Sequence, residues 1–168
     1  MAENTQDVPS PTSKLSWGPI VWKIFHLMAE ISTKAEVLPL WKKWIHQTTE
    51  ILPCEKCRVH LRQYLRMHTF IRVLPITRPK DFIRDHVRNE FFKLHNHVNA
   101  ETGKPQFTME QYRETYCNKT KSETLLETLN LFKELETTWL RMEYFHFRQL
   151  DFAHWKGSFT LLRAMLLT

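Results

Sequence analysis

The chain holds three glycines in 168 residues, and Gly18, Gly103 and Gly157 stand too far apart to build a G-x-G-x-x-G or a G-x-x-x-x-G-K loop. Rossmann-type dinucleotide folds and P-loop enzymes are thereby excluded. All eight prolines lie at or before Pro105, and the abundance of Leu, Glu, Lys, Met and Arg suits helices better than twisted sheets. The length is that of about one domain, so a single all-α unit is expected.

Apolar spacing places the helices. Val21, Ile24, Phe25, Met28 and Ile31 recur at helical intervals from Pro19, which suits a first-turn position. Pro39 opens a second run through Trp41, Trp44, Ile45, Thr48 and Leu52, which Pro53 ends while starting a third helix to Met67. After a loop marked by Pro75 and Pro79, Phe82 or Ile83, Val87, Phe91, Leu94 and Val98 step by about four residues, until Gly103 supplies a left-handed stop. A short helix spans 109–117. Beyond it Leu125, Phe132, Leu135, Trp139, Met142 and His146 fall on a period near 3.5, the pattern of one long amphipathic helix. Its apolar seam needs a covering surface: the bundle, a second subunit or another protein.

The net charge of +6 is local, since residues 54–93 carry ten Lys or Arg against four Asp or Glu. Such a patch suits cofactor phosphates, nucleic acid or an acidic partner, and sign alone does not choose. Within it Arg58, Arg62 and Arg66 make a ridge whose simplest reading is a solvated face, while Arg84 and Arg88 could draw a pyrophosphate. No window approaches eighteen uncharged apolar residues, and the first sixteen residues have no apolar run, so neither a membrane span nor a secretory signal is expected.

Cys54 and Cys57 form a Pro-Cys-Glu-Lys-Cys unit with Pro53 suited to N1, which puts both sulfurs in a first helical turn. Unpaired N–H groups, the positive dipole end, Lys56 and Arg58 all favour thiolate there. Residues three apart share a helix face and can close a two-residue disulfide loop, so a redox pair is the leading reading. The alternative is a zinc-stabilised helical interaction module without redox activity, with His60 and His68 completing the ligands; the sequence lacks a second C-x-x-C and the usual His spacing. A helical segment precedes the motif, which disfavours a thioredoxin fold. A lone dithiol needs a cofactor to pass two electrons to oxygen.

Trp22 and His26 are an i, i+4 pair, and so are His95 and Asn99, with Asn96 beside them. The first reads most simply as core packing. Two asparagines within a helix are mildly unfavourable, and planar amides and imidazoles matching the edge of a fused heterocycle would offset them.

Three blocks then resemble the Erv/ALR family of FAD-linked sulfhydryl oxidases: Trp17-Gly18-Pro19-x-x-Trp22-x-x-x-His26-x-x-Ala29, Pro53-Cys54-Glu55-Lys56-Cys57, and Leu94-His95-Asn96-x-Val98-Asn99 with Gly103-Lys104-Pro105. They keep the family's order and spacing over roughly Trp17 to Tyr116. The resemblance implies a four-helix bundle with a short fifth helix, plus a helical C-terminal extension, commonly as a homodimer. It implies that Trp22, His26, His95, Asn96, Val98, Asn99, Lys104 and Tyr116 line FAD, that Cys57 faces the cofactor, and that Cys54 exchanges with protein thiols. Oxygen would accept the electrons and leave as hydrogen peroxide. Pro19 stands where members often have Arg, and Phe92 and Met109 match an additional disulfide lost as a pair. No second di-cysteine shuttle is present, and the remaining Cys117 reads most simply as a lone thiol. The expected organisation is a flexible tail over 1–16, the oxidase domain over 17–118, and an extension over 119–168 contacting a second subunit or partner. Neither nucleic acid nor membrane is an expected partner. The compact form looks more like members from large DNA viruses, which implies host cytoplasm or virion, the mitochondrial intermembrane space being the alternative.

Overall fold

The computed structural model describes residues 14–168, with side chains from Trp17 onward, and among these residues every regular element is helical. The tail expected over 1–16 falls outside the described residues up to position 13; residues 14–16 already belong to the first helix. Seven α-helices follow one another: α1 (Lys14–Glu30), α2 (Leu38–Ile51), α3 (Glu55–Met67), α4 (Lys80–Glu101), α5 (Met109–Tyr116), α6 (Lys121–Leu140) and α7 (Gln149–Leu167). Single 3-10 turns at Ala35–Val37 and Glu143–Phe145 lead into α2 and join α6 to α7.

α1 starts five residues before Pro19 and carries that proline inside it. The helix forgoes the bond a donor at position 19 would make, and burial offsets the loss: Trp17 is 3% exposed and meets the edge of Trp139 on α6 at 5.8 Å. Leu52, forced out of helical geometry by the following proline, ends α2 with ψ at 130°. The first two turns of α4 bury Ile83 and leave Phe82 exposed, which settles that register. Gly103, at φ 68°, closes α4, and the chain reverses so that the Lys104 N–H donates to the Asn99 carbonyl at 2.8 Å. Reciprocal capping boxes, Thr108 with Gln111 and Thr120 with Glu123, start α5 and α6.

α1 packs against both α4 and α6, and α2 against both α3 and α7. The C-terminal segment is therefore not the single long helix its periodicity suggests. At Arg141 the chain turns, Phe145 folds back to stack on Trp139 at 5.1 Å, and α7 returns to cover α2. Trp155 and Phe159 thereby reach Trp44 at 5.4 and 5.6 Å, and Phe132 stacks on Phe159 at 3.9 Å. His146 lies exposed, off the seam, while Leu125, Phe132, Leu135, Trp139 and Met142 are buried. No glycine or proline marks the break; the aromatic gain from covering α2 decides it. Phe92 and Met109 pack together with Phe107 against the buried Leu27, Tyr112 and Tyr116, so apolar contact occupies both positions.

Candidate active site

Cys54 is the N-cap of α3, its sulfur accepting the Cys57 N–H at 3.2 Å, and the two cysteines are disulfide-bonded with Cα atoms 5.2 Å apart. Pro53 thus lies one residue outside the helix rather than at N1. The placement keeps the electrostatic consequence: Cys57 stands in the first turn, where free N–H groups and the helix dipole stabilise sulfur as thiolate.

A partly enclosed cavity of about 330 Å³ opens beside this turn, within the ~300–1,000 Å³ typical of cofactor sites. Cys57 borders it and Cys54 does not. Of the residues singled out in the sequence, Trp22, His95, Val98, Asn99, Lys104 and Tyr116 also border it. The Trp22 and His95 rings lie 4.1 Å apart and 6° from parallel, a flat aromatic wall. His26 and Asn96 stand outside the lining. His26 is fully buried behind His95, its Nε2 2.8 Å from His95 Nδ1, and it holds that ring in place. Asn96 turns to the next loop, donating to the Phe107 carbonyl at 2.8 Å and accepting its N–H at 2.7 Å. His60, Thr102, Thr48 and Trp17 border the cavity without having been singled out for it; for His60 the signal was its place one turn after Cys57.

Burial, then the neighbouring His95, lowers the His26 pKa to about 3, and burial, then Lys104, lowers that of His95 to about 4. Both rings are neutral near pH 7, so Lys104 is the cation available to a phosphate among the residues singled out. Burial, followed by Glu127, pushes the Tyr116 phenol up to about 12. Trp17 Nε1, in the cavity wall, is a buried donor without a partner among the described residues. A flat ring system with polar edges and an attached pyrophosphate matches this set of aromatic faces, amide, free donor and lysine, so the residues fit FAD.

Arg84 and Arg88 do not border the cavity. Arg84 pairs with Asp81 and Asp85, while Arg88 grips the half-buried Glu30 through both carboxylate oxygens at 2.6 and 2.7 Å and also reaches Asp85 at 3.0 Å. Glu30 further accepts from the Tyr112 hydroxyl at 2.8 Å and lies 3.5 Å from the Cys117 sulfur, whose pKa partial burial and Glu30 raise. On the basic ridge Arg62 forks onto Glu50, and Arg58 lies over the Tyr144 ring at 5.0 Å. The zinc alternative finds no ligand set: among the described residues no group of three His, Cys, Asp or Glu is arranged to hold a metal ion, with His60 paired to Glu101 and His68 stacked on Tyr64.

A helical bundle that sets a two-residue disulfide at a helix tip beside a cofactor-sized cavity defines a dithiol redox protein. The Erv1 / Alr family profile matches residues 19–117, and the chain belongs to that family. It is 30% identical over 125 residues to an FAD-linked sulfhydryl oxidase of African swine fever virus (warthog isolate from Namibia), covering 71% of this chain and 91% of that one. A protein of the same name from the tick isolate of that virus from Malawi is 31% identical over 108 residues, covering 61% and 81%. No solved structure matches the chain significantly.

Proposed function

We infer that this chain is an FAD-dependent thiol oxidase, which forms disulfides in protein substrates with oxygen as acceptor and hydrogen peroxide as product. The observation that carries the assignment of roles is that Cys57 borders the cavity while its partner Cys54 does not. A substrate thiolate attacks the Cys54 sulfur, the Cys54–Cys57 bond breaks, and Cys57 leaves as a thiolate stabilised by the first turn of α3. A second substrate thiol attacks the mixed disulfide and releases Cys54, so the substrate gains a disulfide and the pair becomes a dithiol. The chemistry FAD supplies when bound is acceptance of that electron pair and its delivery to oxygen. Trp22 and His95 would stack on or flank its ring, Asn99 and the Trp17 indole N–H would meet polar edges, and Lys104 would meet phosphate, with His26 and Asn96 keeping the wall rigid from behind.

Membership in the family supports a homodimer, and the viral relatives support a setting in host cytoplasm or virion; among the described residues no helix is long and apolar enough to cross a membrane. Purified protein should be yellow, release flavin on heating, and consume oxygen with dithiothreitol while producing hydrogen peroxide. Colourless protein that takes up no FAD would end this reading. Sedimentation of the yellow protein decides the dimer, a single monomeric boundary counting against it.

A further inference from the structure

Forming a disulfide from two thiols releases two electrons and two protons, and reducing oxygen to hydrogen peroxide consumes two of each, so protons must also leave the sulfurs. His26 and His95 are poor acceptors, being spent on each other at 2.8 Å and held neutral by burial. His60 is placed differently. It follows Cys57 by three residues on α3, the interval that puts side chains on one helix face, and both border the same cavity. Its Nδ1 lies 3.0 Å from the Glu101 carboxylate at the end of α4, a contact that turns Nδ1 toward the carboxylate and leaves Nε2 as the other ring nitrogen. The other Glu101 oxygen lies 3.3 Å from His97 Nε2, so the carboxylate is held from both sides. The charged and titratable groups that share the cavity with His60 are Cys57 on its own helix, His95 from α4, Lys104 from the next loop, Tyr116 from α5 and Lys23 from α1, with Glu101 and His97 of α4 meeting it behind.

Resting on the thiol-oxidase reading, we propose that His60 is the proton acceptor for the Cys57 thiol, with Glu101 as its positioning residue. Cys57, released as thiolate and protonated from solvent as the dithiol forms, then loses that proton: its S–H bond breaks, an N–H bond forms at His60 Nε2, and the electron pair stays on sulfur. The Glu101 carboxylate holds the ring beside the cavity, and the proton passes on to water at the partly exposed rim. That proton balances one of the two taken up as peroxide forms.

The test uses FAD-loaded protein carrying Cys54→Ser and Cys117→Ser, in which Cys57 is the one remaining thiol. Its alkylation by iodoacetamide is followed against pH with and without His60→Ala. Loss of the acceptor should move the profile upward and slow alkylation at pH 7 about tenfold, the effect of one pK unit; Glu101→Gln should move it the same way by less. In the protein with all its cysteines, His60→Ala should slow dithiothreitol oxidation about 10²-fold with flavin content unchanged. Superimposable alkylation profiles, with or without His60 and with Glu101→Gln as the second variant, overturn the proposal. Full turnover in that case leaves the oxidase standing and removes only the proton acceptor. A parent protein with no turnover would instead strike the oxidase reading itself.

Discussion

Replacing His95 with Gln should flatten the acid limb of the stability profile. In the unfolded chain this imidazole binds a proton near pH 6.5, whereas in the fold burial, then Lys104, delays protonation to about pH 4. Between these values the unfolded state binds more protons than the native one, so stability falls as pH falls. The contribution is complete above pH 6.5 and gone below about 4. At about 1.4 kcal/mol per pH unit the whole window amounts to about 3.5 kcal/mol, and His26 acts in the same direction from deeper burial. The assay is urea unfolding at fixed ionic strength and fixed FAD, from pH 7 to pH 4.5. His95→Gln should reduce the slope of unfolding free energy against pH by about 1.4 kcal/mol per unit below pH 6. Glutamine keeps a planar hydrogen-bonding group beside His26, which limits the structural disturbance. Parallel slopes for the two proteins would refute the reasoning, because His95 would then titrate alike in both states.

Trp155→Ala should cost about 3 to 5 kcal/mol in urea unfolding, since the side chain is 1% exposed, packs on Trp44 and Phe132, and donates to Thr48 at 3.0 Å; dithiol oxidation by the protein that stays folded should persist. Arg88→Leu leaves the half-buried Glu30 carboxylate without its cation and should cost about 1 to 3 kcal/mol at pH 7 by the same assay, with a smaller loss for Arg88→Leu combined with Glu30→Gln. Gly103→Ala places a Cβ at φ 68° and should lower stability by about 1 to 2 kcal/mol without touching the cysteines.

Much of the fold is legible in the sequence because its signals are local. Pro53 ends α2 through a clash with its own neighbour, Gly103 supplies the left-handed residue that closes α4, and four-residue apolar spacing marks α4 from Ile83 to Leu94. What escaped the sequence depends on partners far along the chain. The helix before Pro19 packs Trp17 on Trp139 although a proline would favour a start there, and the break after Leu140, where α7 gains Trp44, has no glycine or proline to mark it. The site divides in the same way. The i, i+4 spacing brought His95 and Asn99 to the cavity wall, but the same spacing could not show that His26 would sit one layer behind or that Asn96 would turn to Phe107. Arg88 resembled a phosphate ligand until Glu30, 58 positions earlier, proved to be its partner. His60 carried no signal beyond its distance from Cys57, since Glu101 reaches it only through the packing of α4 near α3.

The central claim is that Cys57 passes the electron pair into FAD held in the cavity beside it. The direct measurement is to add dithiothreitol to the yellow protein in the absence of oxygen and follow the visible flavin absorbance. The parent protein should bleach, while Cys57→Ser should bind the same flavin and keep its colour. Equal bleaching of both proteins would contradict the account, because the electrons would then enter without the sulfur that faces the cavity.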